Sequence, residues 1–226
     1  MALALIVGAG EGLSGSLARL FAAEGYSVAL AARSPDKLAD IVAATGATAH
    51  RCDASDPAAV TALFAELPQT PEVVVYNPSF RVRGPIAEVD PEGVKKALEV
   101  TAYGAFLVAQ KAVQGMLELG HGTVLFTGAS AGEKGFALSA SFAMGKFALR
   151  GLAQSMAREL HPKNIHIAYV NIDGGIKSDR YTLPPEAPAD PMLDPDETAK
   201  AYLGLVRQHR SVWTNELTLR PWVEKF

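Results

Sequence analysis

A glycine-rich turn is the first part of the sequence whose residue types point to chemistry. It runs Gly8-Ala9-Gly10-Glu11-Gly12-Leu13-Ser14-Gly15, between an apolar run and a stretch with helical spacing. Glycine lets the backbone turn tightly and approach a pyrophosphate, and the free N–H groups at the start of the next helix favour negative charge. The turn therefore predicts a dinucleotide site, the alternative being a turn that needs glycine only for its conformation. The candidate cofactor-binding residues here are Gly8, Gly10, Glu11, Gly12 and Leu13.

Arg33 follows the second apolar run, where a fold that selects NAD carries an acidic residue on the ribose 2′-hydroxyl. A guanidinium can instead form a bidentate pair with a 2′-phosphate, so NADP is favoured over NAD as the cofactor. Two alternatives stay open: Arg33 is only a solvated surface charge, or the Glu11 carboxylate repels a 2′-phosphate. Asp53, after the third apolar run, is available to an adenine amino group.

Seven short strands are expected to position these residues. Apolar runs occur at 3–7, 27–31, 47–51, 72–76, 122–127 and 165–170, and a seventh strand is expected near 215–219. Nearly continuous apolarity is typical of strands covered on both faces in a parallel sheet. Stretches with helical spacing lie between and after them, at 13–24, 36–44, 56–67, 92–119, 140–160 and 196–209. This alternation predicts an α/β fold, a single doubly wound domain over 1–226 with a seven-stranded, mostly parallel sheet.

The segment 179–195 interrupts the alternation. It holds five of the 14 prolines, which prevent a long regular element. We expect a surface loop there, and we interpret it as a lid over a substrate site.

The composition excludes several classes of protein. With 21 Lys and Arg against 24 Asp and Glu, the net charge of −3 lacks the basic surface that nucleic-acid binding requires. The single cysteine, Cys52, excludes a disulfide framework, and the five histidines show no ligand spacing, so no metal site is expected. No apolar run reaches the ~18 residues of a membrane span, and the N-terminal run lacks the basic segment of a signal peptide. We expect a cytoplasmic protein with no membrane or nucleic-acid partner.

Across essentially its whole length the sequence resembles the short-chain dehydrogenases/reductases. The resemblance rests on the glycine turn, Arg33, Asp53, Asn77 in Tyr76-Asn77-Pro78-Ser79, and Lys146 with the residues that follow it. It implies a Rossmann-type domain that binds a nicotinamide dinucleotide, with Asn77 and Lys146 among the cofactor-binding residues. In that family a Tyr-x-x-x-Lys pair exchanges a proton with the substrate oxygen while hydride moves to or from the nicotinamide.

The catalytic positions depart from the family pattern. Lys146 stands at the Lys position, where the resemblance implies that it holds the nicotinamide ribose, but Phe142 occupies the Tyr position and has no proton to give. Four residues apart on a helix, the two side chains share one face. The family's Ser aligns with Ala129, next to Ser130, and its Asn aligns with Thr101. We predict that Ser130 polarises the substrate and that water ordered by Ser130, Thr101 and Lys146 carries the proton.

Further cofactor contacts are implied after the sixth strand. The family's Pro-Gly appears as Asp173-Gly174, Ile176 offers backbone groups to the carboxamide, and Ser178 stands where a Thr usually binds the diphosphate. The remaining phenols near these segments, Tyr103 and Tyr181, are interpreted as packing or lid residues.

The residues and the resemblance together predict an NADP-linked oxidoreductase with an atypical site, acting on a small carbonyl compound or a related acceptor. A reaction that needs little proton help, such as reduction of a quinone or an activated alkene, would survive the loss of the Tyr best. Two alternatives are a catalytically inactive protein that binds NADP(H) as a redox sensor, and a structural subunit. Helices 92–119 and 140–160 carry apolar residues on more than one face, so a homodimer or homotetramer is expected.

Overall fold

The computed structural model describes residues 1–178 and 182–225. Seven strands form one sheet in the order β3-β2-β1-β4-β5-β6-β7, and every neighbouring pair is parallel. The strands are β1 Leu3–Val7, β2 Ser27–Ala32, β3 Thr48–Arg51, β4 Val73–Tyr76, β5 Gly122–Thr127, β6 Ile165–Ile172 and β7 Glu216–Leu219. The predicted doubly wound α/β fold is confirmed, with a sheet that is wholly parallel.

Seven α-helices connect or flank the strands in the described ranges. They are α1 Leu13–Ala23, α2 Ala39–Thr45, α3 Pro57–Glu66, α4 Pro91–Leu98, α5 Gly104–Leu119, α6 Ala140–Leu160 and α7 Pro195–Val206. Helices α3, α4 and α7 each begin with an Asp-Pro pair, in which the Asp side chain accepts backbone N–H groups and Pro supplies a helical φ. These caps explain why the observed starts lie within a residue of the predicted ones.

The stretch 92–119, expected as one helix, is interrupted. A π-helical turn at Glu99–Tyr103 separates α4 from α5. The Tyr76 hydroxyl, at the end of β4, donates a 2.5 Å hydrogen bond to the Val100 carbonyl inside this turn. A side chain that takes up a helix carbonyl favours such a local widening, so the interruption comes from a contact between distant parts of the chain.

The two faces of the sheet carry separate hydrophobic layers. In β1, Leu3, Leu5 and Val7 face a layer with α3, α5 and α6, whereas Ala4 and Ile6 face one with α1, α2 and α7. Both faces are therefore covered, which is why β1, β4, β5 and β6 are buried along their whole length.

The carboxyl ends of the strands meet at one edge of the sheet. The strand order reverses between β1 and β4, and ligands of open α/β sheets bind outside the carboxyl ends of the strands at such a switch point. The segments that follow β1, β4, β5 and β6 at this edge carry most of the residues predicted to bind cofactor or substrate.

The loop that contains the proposed lid is described only from 182 onward, so residues 179–181, and with them Tyr181, lie outside the described residues. Its far end is anchored, because Leu193 is buried and exchanges backbone hydrogen bonds of 2.8 and 2.9 Å with Lys177 and Gly175. Within the described ranges, no helix has the length and apolarity that crossing a bilayer requires.

Candidate functional site

The glycine turn after β1 has the backbone conformation and the open space that a phosphate site requires. Gly8 and Gly12 have φ of +78° and +84°, in the left-handed region that favours glycine. A Cβ on Gly8 would lie 2.7 Å from the Pro78 backbone nitrogen, so this residue must be glycine for packing. A Cβ on Gly10 or Gly12 would meet nothing within 4 Å. These two glycines therefore face free space rather than a neighbouring element.

A chain of hydrogen bonds ties the turn to the neighbouring strand. Asn77, directly after β4, donates from Nδ2 to the Ser14 hydroxyl over 2.8 Å, and that hydroxyl donates to the Gly8 carbonyl over 3.1 Å. The N-terminus of α1 has no side-chain cap. Its first N–H groups have no intrahelical acceptor, so they are directed at the space in front of the turn.

The other two turn residues, Leu13 and Glu11, differ in exposure. The Leu13 side chain is buried in the core, so only its backbone is available to a ligand. The Glu11 side chain is exposed, and its carboxylate lies near the Arg19 guanidinium, since both are 3.4 Å from the position of a Cβ on Gly15. The two side chains form no ion pair among the described residues.

Three charged residues meet beyond the ends of β2 and β3. Arg33 is exposed, and Arg51 donates to its carbonyl over 3.0 Å, which brings a second guanidinium to this corner. The Asp53 carboxylate accepts from the Ser55 hydroxyl and amide at 2.6 and 3.0 Å. The Ser55 hydrogen bonds, together with the Lys96 and Arg33 charges, lower the pKa of Asp53. The sequence alone does not indicate Arg51 for this corner, and its proximity to Arg33 is a finding of the structure.

A cavity of about 660 Å³ opens at the carboxyl ends of β4, β5 and β6. It contains Lys146, Phe142 and Ser130, the residues predicted to act on substrate, together with Asn77, Gly174 and Ile176 from the predicted cofactor set. Because Asn77 also hydrogen-bonds the glycine turn through Ser14, the cavity and the turn adjoin.

Lys146 is the buried cation of the cavity. Only 2% of the residue is exposed, and its ammonium donates a 2.7 Å hydrogen bond to the Thr127 carbonyl at the end of β5. No carboxylate pairs with it among the described residues, and burial lowers its pKa to about 7. The side chain can therefore hold or release a proton near neutral pH, and the Thr127 carbonyl fixes its direction.

Phe142 is a wall of the cavity between two cations. The centre of its ring lies 5.7 Å from the Lys146 ammonium nitrogen and 5.1 Å from the guanidinium carbon of Arg81. The predicted shared helix face of Phe142 and Lys146 is thus confirmed. The ring offers no exchangeable proton.

Ser130 and Thr101 are placed differently. Ser130 lines the cavity at the start of a short 3₁₀ turn, Ser130–Gly132. Thr101 is 1% exposed in the π-helical turn, against Gly145, and its hydroxyl accepts the Phe80 amide at 3.4 Å. The structure therefore brings Ser130 to the cavity but does not bring Thr101 there.

The segment after β6 closes another side of the cavity. Gly174 has φ of +152°, and a Cβ there would lie 2.6 Å from Pro221. The preceding Asp173 pairs with Arg220 over 2.8 Å, which fixes the segment against the C-terminal residues. Gly174 and Ile176 line the cavity, whereas Ser178 is half-buried beyond it.

No tyrosine of the described ranges lines the cavity. Tyr103 is 46% exposed and stacks on Phe106. Tyr169 and Tyr202 lie near the end of β5, where their hydroxyls bond Ala129 and Thr127, but both are buried, and burial raises the pKa of Tyr169 to about 12. None of these phenols replaces the missing hydroxyl at Phe142.

Arg81, Ser139 and Glu224 are among the lining residues that sequence reasoning missed. Arg81 follows β4 in the chain closely enough that its position after a strand at the carboxyl edge could have indicated it. Nothing in the sequence indicates that Ser139 or Glu224 lines the cavity. The geometry gives no indication of a metal site: the described residues contain no group of three or more His, Cys, Asp or Glu side chains that could hold an ion.

Comparison with known proteins gives consistent matches. Residues 2–181 match the family model for short chain dehydrogenase. The 3-oxoacyl-[acyl-carrier-protein] reductase MabA of Mycobacterium tuberculosis is 32% identical over 164 residues, which are 71% of this chain and 64% of MabA. The chain thus spans less than two thirds of that curated relative.

Two solved structures match along nearly the entire chain. A short-chain dehydrogenase from Rhodopseudomonas palustris is 35% identical, with a TM-score of 0.84 over 98% of this chain and 99% of that one. A metagenomic short-chain oxidoreductase, determined in complex with NADP, is 25% identical, with a TM-score of 0.82 over 98% of each chain.

Proposed function

Since the chain belongs to the short-chain dehydrogenase family, a family of oxidoreductases, we propose that it is an NADP(H)-dependent enzyme that moves hydride to or from a small carbonyl compound or a related acceptor. The observation that carries the proposal is the position of Asn77. This residue lines the substrate-sized cavity and, through Ser14, hydrogen-bonds the glycine turn. A dinucleotide seated on the turn would therefore have its reactive end at the cavity.

The residues around the turn fit such a cofactor. Gly10 and Gly12 leave open space where any side chain would stand, and the N–H groups of the first turn of α1 are available to a pyrophosphate. When bound, the cofactor supplies or accepts the hydride. The residues that would hold it are Gly8, Gly10, Glu11, Gly12, Leu13, Arg33, Asp53, Asn77, Lys146, Gly174, Ile176 and Ser178.

The preference for NADP over NAD is supported by the corner formed by Arg33 and Arg51. The Arg51 guanidinium donates a 3.0 Å hydrogen bond to the backbone carbonyl of Arg33, so the two residues lie side by side and their guanidinium groups would neutralise a 2′-phosphate. Asp53, whose carboxylate is held by Ser55, would accept from the adenine amino group. No acidic residue directly follows β2 to bond a free 2′-hydroxyl.

On the substrate side, Lys146 would hold the nicotinamide ribose and Ser130 would donate a hydrogen bond to the substrate oxygen. With no phenol at 142, the proton would come from water near Ser130 and Lys146, and the lowered pKa of Lys146 suits it to exchange that proton near neutral pH. Thr101 would contribute only by supporting the helix that carries Lys146. Positioning of the hydride donor and acceptor alone still supplies much of the rate acceleration. Acceptors whose reduction needs little assistance from a general acid are therefore favoured.

A second candidate function is a catalytically inactive NADP(H)-binding sensor or subunit. The observation that favours it is Phe142, an apolar ring at the position where the family uses a Tyr. The two candidates share the cofactor site and differ in whether any acceptor is turned over.

An acceptor screen separates them. The purified protein would be mixed with NADPH and panels of quinones, activated alkenes and small ketones, and NADPH oxidation would be followed by absorbance. The proposal predicts turnover with at least one acceptor and its loss in Lys146→Ala. Turnover that is unchanged in Lys146→Ala would contradict the proposed site, and bound NADPH with no turnover on any panel would favour the inactive candidate.

We also propose that the chain forms a homodimer or homotetramer, as the family is typically oligomeric. Helices α5 and α6 expose large apolar side chains, with Phe106, Met144 and Phe147 between 41% and 48% exposed. Light scattering on the purified protein would give the mass. A mass of 23.8 kDa, that of one chain, would contradict the proposal. The cytoplasmic location and the lid at 179–195 stay predictions.

A further inference from the structure

We propose that Arg81 is a specificity residue that binds a carboxylate of the substrate, so that the enzyme acts on carbonyl compounds that carry a carboxylate. This inference rests on the proposed function and adds the substrate class. It starts from the place of Arg81 in the cavity, beside Phe142 and Ser139.

The guanidinium of Arg81 is oriented by two contacts. Its carbon atom lies 5.1 Å from the centre of the Phe142 ring, and Nη2 donates a 2.8 Å hydrogen bond to the hydroxyl of Ser139. Ser139 is 1% exposed, so this acceptor is rigidly placed at the start of α6. When a guanidinium lies over an aromatic ring, the N–H groups around the edge of the guanidinium remain able to donate to a planar carboxylate.

The loop that carries Arg81 is also held in place. The buried hydroxyl of Ser141 donates to the Val82 carbonyl over 2.7 Å and accepts from the Val82 amide at 3.2 Å. The Gly84 amide donates to the Leu138 carbonyl over 3.2 Å. Ser141 and Leu138 thus hold the loop just after Arg81, and just before it the Phe80 amide donates to the Thr101 hydroxyl over 3.4 Å. A pre-positioned side chain loses little entropy when it binds a ligand.

Arg81 has unused binding capacity. None of the ion pairs between described residues involves it. The Ser139 hydroxyl accepts a hydrogen bond from one of the five N–H groups of the Arg81 guanidinium. The residue is exposed, so the remaining donors are accessible to a ligand in the cavity.

The charges around the cavity favour a single anionic group. Lys146 is turned to the Thr127 carbonyl, which leaves Arg81 as the cation available to substrate in the described lining. Glu224 adds a negative charge elsewhere on the same lining. One free guanidinium matches the single charge and planar shape of a carboxylate better than a doubly charged phosphate. The Phe136 and Phe142 rings would contact the apolar part of the same molecule.

Matched acids and esters test the assignment. The probes are two aryl oxo acids, benzoylformate and 3-benzoylpropionate, each paired with its methyl ester, which removes the charge and adds one methyl group. Binding to the NADPH-loaded protein would be measured by calorimetry, and turnover by NADPH oxidation. We expect the acid of at least one pair to bind at least ~10-fold more tightly than its ester, a typical worth of one charge-assisted pair.

Three variants locate the effect. Arg81→Gln should abolish the preference for the acid while leaving NADPH binding and ester binding unchanged, and Arg81→Lys should retain part of it because the charge stays. Arg83→Gln is the matched control, since Arg83 is exposed on the same loop but does not line the cavity. It should keep the full preference.

The outcomes distinguish this inference from the proposed function. Equal binding of acid and ester in both pairs by a protein that binds NADPH would overturn the inference alone. So would a preference that survives Arg81→Gln or disappears equally in Arg83→Gln, or a higher affinity for phenyl phosphate than for either acid. A failure to bind NADPH would instead remove the proposed function, and the inference with it.

Discussion

The ammonium nitrogen of Lys146 lies 5.7 Å from the centre of the Phe142 ring, one helical turn earlier on the same face of α6. A tyrosine at 142 would therefore place its hydroxyl in the cavity near a cation that lowers the pKa of a phenol. Phe142 thus occupies the position beside Lys146 without supplying a hydroxyl.

Restoring that hydroxyl should raise ketone reduction. We expect Phe142→Tyr to increase NADPH-dependent turnover of a small ketone by roughly 10²–10⁴-fold, the usual contribution of a positioned general acid. Phe142→Leu, which changes the ring without adding a proton donor, should give no increase. Initial rates at saturating NADPH would measure the effect. If Phe142→Tyr binds NADPH normally and gains nothing, the substrate side of the site has diverged as well.

The burial of Lys146 should make stability depend on pH. Its pKa of about 7 in the folded protein is below the ordinary value of a lysine, so between these two values the unfolded chain binds more protons. Stability should therefore rise as the pH increases from about 7 towards the ordinary pKa of lysine. Below pH 7 the buried side chain is charged, and the full desolvation cost of that charge destabilises the folded protein. Between pH 7 and pH 9 the free energy of unfolding of the wild-type protein should rise by about 2 kcal/mol more than that of Lys146→Met.

Urea denaturation of both proteins at the two pH values measures this difference. Lys37→Met is the control, because Lys37 is exposed and its replacement should leave the pH dependence of the wild type intact. A difference between wild type and Lys146→Met that stays constant with pH would contradict a lowered pKa of Lys146.

Substitution of two glycines with the same backbone conformation distinguishes a loss of cofactor binding from a loss of stability through backbone strain. Gly12 and Gly25 both have φ of +84°, and neither has an atom within 4 Å of the position of a Cβ, but only Gly12 lies in the glycine turn. Substitution by Ala should cost each protein about 1–2 kcal/mol of stability, the penalty of a left-handed backbone. Gly12→Ala alone should also weaken NADPH binding, by at least ~10-fold, because its methyl group would fill the phosphate space. Equal NADPH affinity in the two variants would argue against the turn as the binding site.

The preference for NADPH should depend on Arg33. We expect Arg33→Gln to weaken NADPH binding by at least ~10-fold, through the loss of a charge-assisted pair, and to change NADH binding little. Lys37→Gln removes a nearby exposed charge and should change neither affinity. Fluorescence titrations of each variant with each cofactor would measure this. An equal loss of both affinities in Arg33→Gln would assign Arg33 a structural role.

Local sequence patterns were sufficient for much of this architecture. The apolar runs located the first six strands, and the seventh lies where it was expected. The physical reason is clearest for β1, β4, β5 and β6, which are covered on both faces and apolar along their length. The glycine turn and the shared face of Phe142 and Lys146 follow from spacing within single elements. Each of these features depends on residues that are neighbours in the sequence.

Features that depend on distant residues were not predictable in the same way. The helix is interrupted at 99–103, where the hydroxyl of Tyr76, at the end of β4, donates a hydrogen bond to the Val100 carbonyl. Thr101 was expected in the site, and only the packing of that turn against Gly145 shows that it is turned elsewhere. Arg81 enters the cavity because Ser139, 58 residues later in the chain, accepts its hydrogen bond. A sequence pattern does not contain such contacts.

The central claim is that the glycine turn and the adjoining cavity bind NADP(H). A fluorescence titration of the purified wild-type protein with NADPH, and separately with NADH, tests it most directly. The account predicts saturable binding of NADPH at lower concentration than NADH. Binding of neither cofactor would contradict the account and would leave the fold without its proposed chemistry.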